Sequence, residues 1–290
     1  MISNFAVFIL THGRPHKVLT YKTLRRQGYT GPIYLLVDNE DASLAEYRER
    51  YGEQVVVFDK AAVAQGVDVM DNFDVGRKSV VFARNAVYEV ARSLGVKWFL
   101  QLDDDYQTFE YRFNGRLEYS YHSYRPKNLD KLFAATLDFY KSIPALTIAY
   151  AQGGDFIGGR NAAIAQKPIL KRKVMNTFFC AVDRPVQFLG RVNEDMNASL
   201  LAGTRGQLVF TMPNLSIVQN PTQVNSGGLT DIYRALGTYV KSFYSVMLAP
   251  SCVKVEMMRG VEHTRVHHSV DWKYAAPVII SERYRKVSSV

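Results

Sequence analysis

Three adjacent carboxylates, Asp103-Asp104-Asp105, follow directly on the apolar run Trp98-Phe99-Leu100-Gln101-Leu102. Like charges this close raise one another's pKa unless a cation neutralises them. Hard oxygen ligands at i and i+2 suit Mg²⁺ or Mn²⁺, which keep several waters and take further oxygens from substrate phosphates. A surface acidic turn has the same composition, and what favours a metal is the strand that delivers the triplet to a sheet edge. A second acidic group, Asn193-Glu194-Asp195, opens a helical run. An Asn N-cap with acids in the first turn explains those residue types without any chemistry. Histidines 263, 267 and 268 are three of the chain's six. One imidazole among them can complete a metal site made mostly of carboxylate.

The elements that must position these groups alternate along the chain. Residues 5–10 form an apolar strand that ends in the turn Thr11-His12-Gly13-Arg14-Pro15. A helix over 16–27 stops near Gly28, a strand over 33–37 stops at Asp38, and a polar helix spans 43–51. A third strand, 55–58, stops at Asp59. Strands that are continuously rather than alternately apolar, spaced by helices, indicate a parallel sheet covered on both faces. Ligands of such sheets gather beyond the carboxyl ends of the strands, where Asp38 and Asp59 fall. The strongest helical pattern spans 75–94, with Val80, Ala83, Val87, Val90 and Leu94 on one face and Gly95 as the stop. Residues seven apart share a face, which pairs Arg77 with Arg84 and Lys78 with Asn85; a solvated basic face is the plainer account of them.

Beyond the triplet, residues 106–124 interleave Arg112 and Arg116 with Tyr111, Tyr119, Tyr121 and Tyr124, and Arg125 follows. A helix over 128–142, a strand over 147–151, a glycine-rich loop around Asp155 and a strand over 175–181 come next. Neither a repeat nor a low-complexity linker interrupts the chain. One domain over residues 1–290 is expected, with nucleotide binding in about the first 105 residues and acceptor binding in the irregular remainder.

The 290 residues are 47% apolar and 22% charged, which excludes disorder, collagen and coiled coil. Lys plus Arg is 36 against 27 acids, and this net charge of +9 favours polyanionic partners. Two cysteines, Cys180 and Cys252, make no disulfide framework and no CxxC zinc site. Cys180 sits in an apolar run typical of an inert buried thiol. Without a positively charged leader or an apolar stretch of about 20 residues, a soluble intracellular protein with no membrane association is expected. No protein partner is implied.

The order of these parts resembles the GT-A glycosyltransferases, which transfer a sugar from a nucleoside-diphosphate donor. The residues that carry the resemblance are the first strand and its Thr11-His12-Gly13-Arg14-Pro15 turn, Gly76-Arg77-Lys78 with Ala83-Arg84-Asn85, Leu102-Asp103-Asp104-Asp105, Asn193-Glu194-Asp195 and a late histidine. Within that group the chain is most similar to the phage-encoded, TET-associated DNA glycosyltransferases, which decorate hydroxymethylated bases. The resemblance implies a GT-A, Rossmann-like α/β fold with a mostly parallel central sheet and helices on both faces. It implies Mn²⁺ or Mg²⁺ as cofactor, a nucleotide sugar such as a UDP-sugar as donor, and 5-hydroxymethylcytosine in DNA as acceptor, in the cytoplasm of an infected bacterial host.

Carried over by residue, the resemblance places Thr11, Arg14, Asp38 and Asp59 in the nucleotide pocket. Arg77, Lys78 and Arg84 then face the diphosphate or donor sugar. Asp103 touches ribose or sugar hydroxyls and Asp105 binds the metal, with the extra acid Asp104 leaving the division of labour open. His267 or His268, the latter slightly preferred, supplies the remaining ligand, and Asp195, with Glu194 beside it, takes the acceptor's proton. A flipped base would find stacking and phosphate contacts in the Tyr/Arg-rich stretch 106–125. The competing readings are a glycan or protein acceptor, an aspartyl-phosphate phosphatase, and a non-catalytic basic nucleic-acid-binding module.

Overall fold

Strand β1 (Phe5–Leu10) is buried at every position, which only the centre of a sheet covered on both faces allows. β2 (Ile33–Asp38), β3 (Val55–Phe58) and β4 (Trp98–Asp103) extend it in parallel, in the order β3-β2-β1-β4. The computed structural model describes residues 2–219, 232–233, 237–259 and 264–284. Five further strands complete one nine-stranded sheet: β5 (Tyr106–Phe113), β6 (Tyr119–Tyr124), β7 (Ala145–Gln152), β8 (Phe178–Ala181) and β9 (Leu208–Gln219). The full order is β3-β2-β1-β4-β8-β7-β9-β5-β6. β8 runs antiparallel to both its neighbours, as does β5, and the other strands point one way. The sheet is therefore mostly parallel, as expected.

Strand alternation divides the apolar side chains into two cores. Phe5, Val7 and Ile9 pack with α1 (Leu19–Arg26), α2 (Leu44–Tyr51) and α5 (Leu129–Ser142) through Leu24, Tyr47, Phe133 and Leu137. Ala6, Phe8 and Leu10 pack on the other face with α4 (Val81–Ser93) and α7 (Glu194–Thr204) through Phe82, Val87 and Ala198. Gly28 at the end of α1 is fixed by space as well as by its φ of 82°, because a Cβ there would lie 2.3 Å from the Lys127 carbonyl oxygen. Two short helices, α3 (Lys60–Ala64) and α6 (Ala163–Gln166), fill connections.

The C-terminal part is more regular than its sequence suggests. Helix α8 (Lys241–Leu248), a β10 (Val253–Arg259) and β11 (Thr264–Val270) hairpin, and α9 (Trp272–Ala275) share a small core with Met196 and Leu200 of α7. The helix expected over 75–94 begins only at Val81. Gly76, at a φ of 65°, breaks it, and Val75 packs instead with Val192, Ile232 and Tyr244. Arg77 and Lys78 thus precede the helix, and the expected shared faces of Arg77 with Arg84 and of Lys78 with Asn85 do not form. Residues 106–124 fold as the β5–β6 hairpin at one end of the sheet. Cys180 is buried beside the Tyr88 hydroxyl, and burial pushes its thiol up to about 12.

Candidate active site

Apolar β4 carries Asp103 to the sheet edge, and one buried threonine holds the turn that follows. Thr20 Oγ1 donates to the Asp103 carbonyl at 2.6 Å and accepts from the Tyr106 backbone N–H at 2.9 Å. Burial differs across this turn. Asp104 points inward, where Thr11 Oγ1 donates to its Oδ2 at 2.7 Å and Arg14 Nη1 lies 3.5 Å from its Oδ1. Burial raises the Asp104 pKa, although Arg14 and Thr11 oppose the shift. Asp103 and Asp105 are half-buried. Burial first, and then the charges of Asp103 and Asp104, push the Asp105 carboxyl up to about 7.

Arg84 joins this turn to the second acidic motif. It is wholly buried in α4, with Nη2 donating to Asp103 Oδ1 at 2.8 Å and Nε donating to Glu194 Oε1 at 3.1 Å. Its guanidinium carbon lies 5.0 Å from the Phe178 ring centroid and 5.8 Å from that of Phe188. Burial works against the charge, but Asp103 and Glu194 outweigh it and hold the group ionised. Nη1 is buried without a hydrogen-bond partner among the described residues. Expected to face the donor, Arg84 lies between two carboxylates of the protein.

Glu194 and Asp195 open α7 after Asn193, whose φ is 56°. Burial raises both carboxyls. Asp195 reinforces the shift of Glu194, while Arg84 opposes it for both. Asp195 Oδ1 accepts from the Met196 backbone N–H at 2.7 Å. The expected cap is not made by the Asn193 side chain. Its Nδ2 instead donates to the Lys241 carbonyl at 2.6 Å and to His268 Nδ1 at 3.2 Å. His268 is pushed down to about 3 by burial, then by His267, Lys173 and Lys241, which keeps it neutral. His267 donates Nδ1–H to the His268 carbonyl at 2.8 Å, which leaves its Nε2 lone pair free of that bond. His263 lies outside the described residues. The chain of contacts Asp103–Arg84–Glu194 and Asn193–His268 thus brings the three motifs to one region. Among the described residues, however, no group of three or more His, Cys, Asp and Glu side chains is placed to hold a metal.

The carboxyl ends of β1 to β3 form the adjoining rim. Asp38 Oδ2 accepts from His12 Nδ1 at 2.7 Å, and Lys60 Nζ lies 3.3 Å from its Oδ1. Burial alone would raise Asp38, but His12 and Lys60 outweigh it and hold the carboxyl below its ordinary range. Asp59 accepts from the Ala62 backbone N–H at 3.0 Å, so its type is explained as the N-cap of α3. Arg77 is exposed and donates through Nε to Glu40 at 2.8 Å. Lys78 follows it in the same loop.

Several residues here escaped sequence reasoning. Asp41 accepts from the Gly13 N–H at 2.7 Å and so shapes the Thr11–Arg14 turn; its place three residues past a strand end was the available signal. The Tyr47 hydroxyl meets Thr11 Oγ1 at 2.8 Å and accepts from the Arg14 N–H at 3.0 Å. Lys60, His12 and Lys173 carried no spacing signal. In the Tyr/Arg-rich hairpin, Tyr106 and Phe109 are core residues, and Arg112 is held by Ser216 at 2.6 Å and Glu110 at 3.3 Å. Packing therefore accounts for much of that stretch. Among the described residues no helix is long and apolar enough to cross a membrane.

Among solved structures, the chain is similar to Staphylococcus aureus TarS 1-349 in complex with UDP (11% identity, TM-score 0.43, 83% of this chain and 65% of that one). It is also similar to glucosyl-3-phosphoglycerate synthase from Mycobacterium tuberculosis with Mn²⁺, UDP and phosphoglyceric acid (9%, 0.45, 92% and 86%). The mannosyltransferase PcManGT from Pyrobaculum calidifontis, with GDP-Man and Mn²⁺, is a third (9%, 0.45, 86% and 74%). The chain spans just under two thirds of the TarS fragment. No curated protein matches. The model of the TET-associated glycosyltransferases matches residues 5–228, which contain the triplet, Arg84 and the Glu194-Asp195 pair. The chain belongs to the TET-associated glycosyltransferase family, as its overall resemblance and basic balance led us to expect.

Proposed function

We propose that this chain transfers a sugar from a nucleoside-diphosphate donor, first among them a UDP-sugar, to the hydroxyl of 5-hydroxymethylcytosine in DNA, with Mn²⁺ or Mg²⁺ as cofactor. The observation that carries the reading is Arg84, whose buried guanidinium ties the Asp103 end of β4 to the Glu194 start of α7. A donor-side acid and an acceptor-side acid are thereby fixed relative to each other. Family membership and the excess of basic residues support a DNA acceptor.

The residues at the turn fit a hard dication. Asp105 resists ionisation beside Asp103 and Asp104, the condition that bound positive charge relieves. An ion held by Asp103 and Asp105 alone would take its other oxygens from phosphate and water, in keeping with the absence of a protein-only cage among the described residues. Of the two late imidazoles, His267 keeps an Nε2 lone pair with which to add a ligand, whereas His268 Nδ1 is taken by Asn193. Bound there, Mn²⁺ or Mg²⁺ supplies the charge that stabilises a leaving diphosphate.

The protein's own groups do the rest. Thr11, Arg14 and Asp38 line the nucleotide side of the rim; Asp59, Arg77 and Lys78 border it. Asp104 locks the β1 turn to the β4 turn and is not a ligand. Arg84 positions Asp103 and Glu194. Asp195 takes the proton of the acceptor hydroxyl as its oxygen bonds to the sugar's anomeric carbon and the bond to diphosphate breaks. A raised carboxyl pKa brings a general base closer to neutral pH, which suits that transfer. Glu194 is committed to Arg84 and orients the start of α7.

The test is incubation of the protein with sugar nucleotides, Mn²⁺ and hydroxymethylcytosine-containing DNA, read by nucleoside mass spectrometry. A gain of one sugar that chelator and Asp105→Ala both abolish is the expected result. Undiminished transfer by Asp105→Ala in chelator overturns the metal-dependent mechanism. Transfer to a glycan or protein, and to no modified DNA, overturns the acceptor.

A further inference from the structure

Side-chain hydrogen bonds draw basic residues to the first turn of α7. Ser199 Oγ donates to the Asp195 carbonyl at 3.0 Å and accepts from the Val174 N–H at 3.2 Å, which fixes the backbone beside Lys173 to that turn. Thr211 Oγ1 of β9 donates to the Lys173 carbonyl at 2.7 Å. Asn193 Nδ2 donates to the Lys241 carbonyl at 2.6 Å, so α8 starts at the same place. Ser242 Oγ donates to the Val266 carbonyl at 3.2 Å and fastens β11, next to Arg265, to that end of α8.

Asp195 is the acid among these cations. Burial raises its carboxyl, and Lys173, then Arg84, oppose the shift. Lys241 is held below its ordinary range by burial and then by Arg265, with Asp195 opposing and Lys173 adding to the effect. Other acids nearby are engaged: Glu194 with Arg84, and Glu256, opposite His267 in the hairpin, with Lys254. Among the described residues no ion pair joins an acid to Lys173, Lys241 or Arg265. Lys173 and Lys241 are both half-buried. Crowded positive charge of this kind is relieved by a bound anion, as crowded carboxylates are by a cation.

Two observations say which anion. Arg14 is the cation that acts on Asp105, whereas Lys173 acts on Asp195, so the lysines belong with the acid assigned to the acceptor rather than with the donor's metal site. The Tyr233 ring lies 5.8 Å from Lys241 Nζ, and Glu194 and Asp195 both act on its hydroxyl. An aromatic ring beside ammonium groups is the composition with which proteins hold a base and its phosphate.

We infer that Lys173 and Lys241 form an anion subsite at the start of α7 that holds a backbone phosphate flanking the target base and so presents its hydroxymethyl group to Asp195. The subsite rests on the DNA-acceptor reading and deepens it: the acceptor is recognised through its phosphodiester at the point of transfer. An uncharged glycan would leave both ammonium groups unanswered.

The test compares two trinucleotide acceptors with hydroxymethylcytosine at the centre, one with phosphodiester and one with neutral methylphosphonate linkages, in steady-state transfer by the full chain. The wild-type protein favours the charged acceptor, and Lys173→Gln or Lys241→Gln lowers that preference about 10- to 100-fold, the worth of a hydrogen bond to a charged group. Lys173→Arg keeps it. The preference is a ratio, so a variant that folds poorly does not alter it. Anisotropy of the labelled charged trinucleotide gives a readout independent of turnover, and each Gln variant lowers the slope of log affinity against log salt by about 0.7. An unchanged preference and salt slope in both Gln variants, while the wild type modifies hydroxymethylated DNA, overturns the subsite and leaves the acceptor reading standing. An equal loss on both acceptors makes the lysines supports of Asp195 and likewise overturns it, as does a rise confined to the donor KM. Wild-type protein that modifies no DNA overturns the acceptor reading and this subsite with it.

Discussion

Replacing Arg84 by methionine keeps an apolar stem in the buried site and removes the guanidinium that lies over Phe178 and Phe188 between Asp103 and Glu194. Asp103 retains 29% side-chain exposure, so water compensates part of its loss, whereas Glu194 at 8% is stranded. Removing one partner of a buried ion pair costs about 3–5 kcal/mol, and one stranded carboxylate sets the loss in that range rather than at twice it. The loss depends on pH. The Glu194 pKa is raised above its ordinary 4.5 by burial, so folding binds a proton. Its contribution to stability is present in full below 4.5 and is lost as pH rises through the folded-state value. Without Arg84 that value climbs further and the penalty deepens at neutral pH. At pH 4 the acid is neutral in both proteins, and the difference shrinks to about 1 kcal/mol, the worth of the lost hydrogen bonds. Urea unfolding in chelator, followed through the fluorescence of Trp98 at the far end of β4, measures both values. An equal loss at pH 4 and pH 8, or less than about 1 kcal/mol at pH 8, would refute a buried charge relay between β4 and α7.

Two further outcomes follow from the triplet. Because the Asp105 carboxyl stands at about 7, Mn²⁺ affinity should weaken about tenfold per pH unit below that point as metal and proton compete. Calorimetric titration at pH 8 and pH 5.5 checks this, and equal affinities would contradict it. Thr11→Val removes the donor that meets buried Asp104 and should destabilise by about 1–3 kcal/mol. Thr11→Ser should recover most of that loss, and a neutral Thr11→Val would mean that Asp104 needs no donor.

The sheet was legible because its strands are continuously apolar: 5–10, 33–37, 55–58 and 98–102 fall within one or two residues of β1 to β4. The extent of α4 was not. Val87 is buried as its period requires, but Leu94 lies past the helix and is exposed, Gly76 takes a left-handed φ that periodicity cannot reveal, and the basic residues before Val81 leave the helix. The hairpin at 106–124 hid its role in a similar way. Its tyrosines and arginines resemble a binding stretch, yet Tyr106 is core and Arg112 is bound by Ser216 and Glu110 from within the sheet. Ser216 is distant in sequence, and nothing local announces it.

Division of labour within Asp103-Asp104-Asp105 turns on burial. Asp103 ends β4 and the next two acids form the turn, where Asp104 is buried while Asp103 and Asp105 are half-buried. The middle acid meets Thr11 and Arg14 from the first βα connection and, through Thr11, Tyr47 of α2. An inward apolar residue would pack there but would leave the Thr11 hydroxyl without its acceptor. Asp104 is therefore an acid for a different reason from its neighbours. Its buried charge is answered by Arg14 and Thr11, whereas Asp103 is paired with Arg84 and Asp105 is raised by both other acids. The triplet thus concentrates its unrelieved negative potential on the outward side, at Asp105, where a dication and a diphosphate would have to meet.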